Sequence, residues 1–188
     1  MRELVFLLEE PSARAMLDSL LPRLLGPDRL CRLVPFERKQ DLERNIVKRI
    51  RGYQNPEARF IVLRDLDSNP DCRVLKRRLL DLCAESGKGD ACLVRIACQE
   101  LETFYLADLQ AVEAALGITG LVRHQANRKF RDPDRLGSPS HELRQLTGRR
   151  YEKVAGSREI GRHLALDNRR SASFRHLVDG IRRMAQAT

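Results

Sequence analysis

The sequence predicts an α/β protein: a parallel sheet of about four strands flanked by helices, with a mostly helical C-terminal extension. Two observations carry this. Short apolar runs and helix-period segments alternate four times over residues 1–116, and chains that alternate in this way close into a parallel sheet wound by helices. After Gly120 the alternation stops, and the chain turns charged and loop-like before becoming helical again. The expected division is a core over 1–120 and a basic, mostly helical extension over 121–188, packed on that core.

The elements follow in order. Residues 3–8, with Val5 and Phe6, read as the first strand, closed by Glu9-Glu10-Pro11-Ser12. The apolar run is too short for a signal peptide, and acids end it. Ser12 is positioned to cap a helix with Ala15, Met16, Leu20 and Leu24 on one face, stopped by Gly26-Pro27. Leu30 to Phe36 reads as a second strand. Gln40 to Arg51 carries Leu42, Ile46, Val47 and Ile50 at helical spacing, and Gly52 closes it. Residues 58–63 form the clearest strand, followed by Arg64-Asp65-Leu66-Asp67-Ser68. A helix is expected from Asn69-Pro70 to Glu85, a loop at 87–90, a fourth strand over 91–97, and one amphipathic helix over 100–116. In the extension, residues 128–139 read as loop, and 141–147, 157–165 and 171–186 as helices. In the last of these, Phe174, Leu177, Ile181 and Met184 make a core-facing stripe.

A chain of 188 residues, 42% hydrophobic and 32% charged, buries a core without disulfides or a structural metal. It has no tryptophan, and 5% aromatics argue against an aromatic single-strand-binding platform. The net charge of +9 is localised: residues 1–120 hold 19 basic and 19 acidic side chains, and residues 121–188 hold 16 and 7. Of the 35 basic residues 29 are arginine, whose planar fork suits phosphate. A local basic excess is the electrostatic footprint of a nucleic-acid partner, although a solvated basic face has the same composition. Arg169, Arg170 and Arg175 belong to the C-terminal cluster, and Arg128, Lys129 and Arg131 flank Phe130, an arrangement that suits a phosphate-backbone contact. The five cysteines show no C-x-x-C and no zinc spacing to histidine, which fits free thiols in a reducing cytoplasm. No run approaches a membrane span.

Ligands of open parallel sheets bind outside the carboxyl ends of the strands. Three acidic groups are expected on that edge: Glu9 and Glu10 after the first strand, Asp65 and Asp67 after the third, Glu100 and Glu102 after the fourth. Extended backbone through 65–67 directs both aspartates the same way. Gathered carboxylates repel unless a cation relieves them, and hard oxygen ligands suit Mg2+ or Mn2+, which activates water and polarises phosphate. Any one of these acids alone reads more readily as a helix N-terminal cap, where negative charge is favoured, and only the three clusters together on one edge turn the reading toward a metal site.

These residues resemble the Toprim domain of topoisomerases, primases and overcoming-lysogenization-defect nucleases, over about residues 3–116. More narrowly the chain resembles a bacterial family, domain of unknown function 4276, with a Toprim-like core. The residues that carry this are Val5 to Ser12, Val62 to Ser68, Glu100 to Asp108 and Tyr151 to Ser157. The resemblance implies a Toprim-like sheet, with Glu9 as metal ligand or general base and Asp65 and Asp67 as holders of the divalent ion. It further implies that Glu102 assists and that Lys153 contacts phosphate or the transition state. It also implies an ATPase partner and a role in defence against phage. Toprim domains usually carry Gly after the first Glu, where this chain has Glu10, and an acid three residues later, where it has Ala13.

The resulting expectation is a Mg2+- or Mn2+-dependent cytoplasmic nuclease acting on DNA or RNA. The alternative is a non-catalytic subunit, binding nucleic acid or the ATPase, on a degenerate Toprim scaffold. Haloacid-dehalogenase phosphatases and glycosyltransferases also use Asp-x-Asp, but the motif is central here and Ser68 follows it. The chain has no room for a topoisomerase's attacking-tyrosine domain, no P-loop, and no zinc or helicase-binding part of a primase.

Overall fold

The computed structural model describes residues 3–186. Four strands, β1 (Leu4–Leu8), β2 (Cys31–Pro35), β3 (Arg59–Asp65) and β4 (Cys92–Ala97), form one sheet in the order β2-β1-β3-β4, with every neighbouring pair parallel. The central strands read as unbroken apolar runs because helices cover both faces. Side chains still alternate: Leu4, Phe6 and Leu8 enter one core and Val5 and Leu7 the other.

On the Val5 face lie α2 (Lys39–Arg51) and α3 (Cys72–Glu85), through Leu42, Ile46, Ile50, Leu75 and Leu79. On the Phe6 face lie α1 (Pro11–Leu25), the short α4 (Thr103–Leu106) and α5 (Leu109–Leu116). With them lie the later helices α6 (Pro139–Leu146), α7 (Lys153–His163) and α8 (Ala172–Gln186). The last-helix stripe holds: Phe174, Leu177 and Ile181 are buried, with Met184 packed at the margin. α7 runs alongside α1 in the same direction, tied by Arg158–Asp18 at 2.9 Å and by Arg23 donating to the Gly161 carbonyl at 3.1 Å. Gly161 makes this possible: a Cβ there would lie 2.5 Å from the Met16 carbonyl oxygen. That close approach carries the start of α7 to the carboxyl edge of the sheet.

Three expectations are corrected. The helix over 100–116 is two helices, because the Asp108 carboxylate accepts from the Ala111 N–H at 3.1 Å and from the Ala165 N–H at 2.8 Å, and so starts α5 afresh. The apolar period continues across this break, so periodicity does not reveal it. Helix α1 begins at Pro11, with Glu10 at the N-cap position. Ser12 lies inside the helix and donates to the Glu10 carboxylate instead of capping. Extended backbone stops at Asp65: Asp67 has a left-handed φ of 51°, so the two aspartates do not stand as strand neighbours on one face. Residues 122–135 fold as three short 3-10 turns, Val122–Ala126, Arg128–Phe130 and Pro133–Arg135.

Candidate active site at the carboxyl edge of the sheet

The parallel strands end together, and α1, α2 and α3 all begin at that edge, directing their positive N-terminal ends at it. Glu9 follows β1 and is aligned with the end of β3: one carboxylate oxygen accepts from the Asp65 N–H at 2.9 Å. Glu10 has φ −149°, extended backbone open to any residue, so the turn that Toprim domains make with Gly is made here without it. Its carboxylate accepts from Lys153 Nζ at 2.6 Å and from Ser12. Lys153, the first residue of α7, therefore reaches the site across 143 positions of sequence.

Asp65 ends β3 and is buried. Its carboxyl is pushed well above the ordinary carboxylate range, first by burial and then by repulsion from Glu9, Glu10 and Glu102, with the Leu101 N–H drawing it back. Glu102, just past β4, is also buried. One oxygen accepts from the Tyr151 hydroxyl at 2.9 Å, and the other has no hydrogen-bond partner. Burial raises Glu102, against the pull of Lys153. Burial likewise raises Glu9, against the Asp65 N–H and Arg64. For Lys153, burial pulls its amine down and the Glu10 carboxylate more than restores it, leaving it raised.

Asp67 stands nearer solvent. It meets Lys39 Nζ at 3.1 Å and Arg64 at 3.6 Å. An open cavity of about 380 Å3 outside β1 and β3 is lined by Glu9, Glu10 and Asp67 together with Glu37, Arg38 and Lys39. The structure thus brings Glu9, Asp65, Asp67, Glu102 and Lys153 to one edge. Among the described residues, however, no three His, Cys, Asp or Glu side chains converge as a ready metal cage. The donor chemistry still fits a hard divalent ion, since a buried unpartnered oxygen on Glu102 and a carboxyl at Asp65 crowded by three others are what a cation relieves. Glu100 is different. It accepts from the Ser140 N–H at 2.7 Å near the start of α6, so the helix-terminus role describes it.

Three site residues escaped the sequence reading as chemistry: Arg64, Tyr151, and Lys39, which meets Asp67 and lines the cavity. Arg64, 3% exposed within a strand, lies 3.8 Å from Glu9, 3.3 Å from Glu43 and 3.6 Å from Asp67, and donates to the Asp65 carbonyl. An arginine inside an apolar strand was the available signal, because buried charges come with partners. Tyr151 packs its ring on Gly156, where a Cβ would lie 2.6 Å from the ring, and its hydroxyl spans Glu102 and Ser157. Nothing local in the sequence announces that contact.

The six basic residues expected at nucleic acid are exposed. Arg169, Arg170 and Arg175 flank the start of α8, whose Ser173 accepts from the Cys98 N–H at 3.4 Å, one residue past β4, so they border the same edge. Lys129 is engaged with Glu142 at 2.6 Å. Phe130 is a core residue at 5% exposure, so Arg128, Lys129 and Arg131 do not surround a ring available for stacking.

The fold and this edge define an α/β protein with a carboxylate cluster where parallel sheets bind their ligands. The chain belongs to the family described as "Domain of unknown function (DUF4276)", which matches residues 8–182. Among solved structures it is similar to the C-terminal region of the Burkholderia pseudomallei OLD protein. The two share 18% sequence identity and a TM-score of 0.53, over 97% of this chain and 98% of that one. The fold is therefore Toprim-like, as in that region. No curated protein matches the sequence. Among the described residues no helix is long and apolar enough to cross a membrane.

Proposed function

We propose that the protein is a divalent-metal-dependent nuclease of the Toprim type, hydrolysing phosphodiesters in DNA or RNA. The observation that carries this reading is buried Asp65, crowded by Glu9, Glu10 and Glu102 at the carboxyl edge, where Glu10 also holds Lys153. In this reading Glu9, Asp65 and Asp67 hold Mg2+ or Mn2+. When bound, such an ion polarises a phosphate and lowers the pKa of water. Glu9 is a carboxylate aligned by the Asp65 N–H and suited to take the proton from water as a P–O bond forms and the ester P–O bond breaks. Glu102, held by Tyr151, supports the metal-facing edge. Lys153, paired with Glu10, and the arginines near α8 bind phosphate. A role in anti-phage defence beside an ATPase partner, in the cytoplasm, completes the proposal.

One observation favours a second reading. Lys153 and Lys39 already neutralise Glu10 and Asp67, as they would in a non-catalytic scaffold that binds nucleic acid or the partner. Cleavage of labelled DNA and RNA with Mn2+, comparing the parent with Asp65→Ala and with EDTA, separates the two. Metal-dependent cutting lost in the variant supports the nuclease. Cutting that survives in Asp65→Ala removes the site assignment. A melting curve unmoved by millimolar Mg2+ or Mn2+ favours the scaffold, because a ligand bound only by the folded state must stabilise it.

A further inference from the structure

The even charge of residues 1–120 conceals a segregation that the fold exposes. Helices α2 and α3 together hold nine Lys and Arg against four Asp and Glu. Both lie on the Val5 face of the sheet, so their outer surfaces form one flank of the molecule. On α2, Leu42, Ile46 and Ile50 point inward, and Arg44, Lys48 and Arg51, at i, i+4 and i+7, point outward and are exposed. On α3, Leu75, Leu79 and Cys83 point inward, and Arg73 and Arg77, at i and i+4, are exposed on the outer side. The two helices are joined by Arg78 and Glu43 at 2.5 Å.

These outward cations are not consumed by the fold. Among the described residues, Arg44, Lys48, Arg73 and Arg77 form no ion pair, and Arg51 donates only to the Glu85 carbonyl, at 2.7 Å. The acid nearest this stripe on α2, Asp41, is engaged by the Glu37 N–H and by Asn45. The start of α2 lines, through Lys39 and Gln40, the cavity that Glu9, Glu10 and Asp67 also line, and α3 begins at the same edge of the sheet.

We infer that the outer face of α2 and α3 is a nucleic-acid track, binding the phosphate backbone that runs away from the carboxylate site. This extends the nuclease reading by giving the polymer a path. Charge complementarity selects the occupant. Along α2 the three cations span about 10 Å at 1.5 Å per residue, a run of several strand phosphates, and the arginine fork matches phosphate oxygens. A protein partner needs apolar anchors at the centre of its interface, and among the described residues the only large apolar side chain exposed on this flank is Val74. A membrane surface needs a leucine or aromatic row to insert, and among the described residues this flank exposes none.

The test is binding of a labelled 30-mer duplex DNA and a 30-mer RNA in EDTA, across a salt series, for the full chain and for R44Q/K48Q/R77Q. Each lost phosphate contact removes roughly one from the slope of log affinity against log salt. The expected result is a slope shallower by about 2 to 3 and affinity at low salt reduced tenfold or more, with an unchanged melting curve because all three side chains are exposed. A variant that binds as the parent does, a parent that binds neither polymer, or a parent that binds polyglutamate as tightly as nucleic acid overturns the inference. Hydrolysis of bis(4-nitrophenyl) phosphate with Mn2+ keeps the two readings apart. Its absence from the parent counts against the nuclease, while binding lost in the triple variant still supports the track.

Discussion

The carboxylates at the sheet edge form two groups that the chain treats differently. Glu10 and Asp67 stand toward solvent, and each is met by a lysine, at 2.6 Å and 3.1 Å. Asp65 and Glu102 are 8% and 1% exposed, and among the described residues neither has an ion-pair partner. Burial drives both upward in pKa. The outer pair is neutralised by half-exposed side chains, a type of pairing that contributes about 0–1 kcal/mol and yields readily to a competitor. The inner pair is held by the fold against its own desolvation, which only a proton or another cation relieves. The outer acids are thus neutralised by side chains that can move, whereas among the described residues no cationic side chain pairs with the inner acids.

Asp65→Asn breaks the comparison most strongly. It keeps the shape while removing a charge, so metal-dependent cleavage should fall by roughly 100-fold or more. The metal-free protein should melt higher, by about 2–4 °C for each 1 kcal/mol of relieved repulsion. A lower melting temperature in Asn would show that Asp65 is not under electrostatic stress.

Tyr151→Phe tests the other inner acid. It removes the donor to Glu102 and leaves a buried carboxylate with neither oxygen bonded, at a cost of about 1–3 kcal/mol in urea unfolding. A midpoint equal to the parent's would mean that water replaces the hydroxyl and Glu102 is less enclosed.

The pH dependence sharpens the contrast. Glu9, Asp65 and Glu102 have folded-state pKa values raised above 4.5, 3.8 and 4.5. The folded protein therefore holds more protons than the unfolded one between those values and the folded ones. Their contribution to stability is fully present below them and is lost as pH rises through the folded values. Urea titrations from pH 4 to 8 should show the parent falling behind Asp65→Asn as pH rises. Parallel curves would remove Asp65 from the account.

Lys39→Gln gives the smallest effect on the fold, within about 1 kcal/mol, because the pair is half-exposed and solvent screens it. It should also tighten Mn2+ binding, read as a larger metal-induced melting shift, since Asp67 loses its competitor. Weaker binding in the variant would make Lys39 a support of the site.

The strands and the acids at their ends were legible because both are local. An apolar run bounded by turn residues marks a strand, and a residue just past it lies at the carboxyl edge of any parallel sheet. Hence Glu9, Asp65 and Glu102 were placed from spacing alone. The break at Ala107–Asp108 was not legible, because Leu101 to Leu116 keeps a helical period while the cap that divides it depends partly on Ala165. The left-handed turn at Asp67 was hidden for a similar reason: its N–H donates to the Gln99 carbonyl, beyond the next strand. Arg64 carried a signal in its setting. Lys39 and Tyr151 carried none, and Lys153 entered only through resemblance.

By itself, then, the sequence determined the parallel sheet, the edge on which acids gather, and the basic character of its last third, because hydrophobic period and local turns are properties of neighbouring residues. The tertiary structure decided which acids are buried, which lysine meets which carboxylate, and that α2 and α3 turn their cations to one flank. Those outcomes depend on the close approach of α7 to α1 at Gly161 and on the order β2-β1-β3-β4. Burial and ion pairing are set by distances between residues far apart in the chain, and only packing fixes such distances.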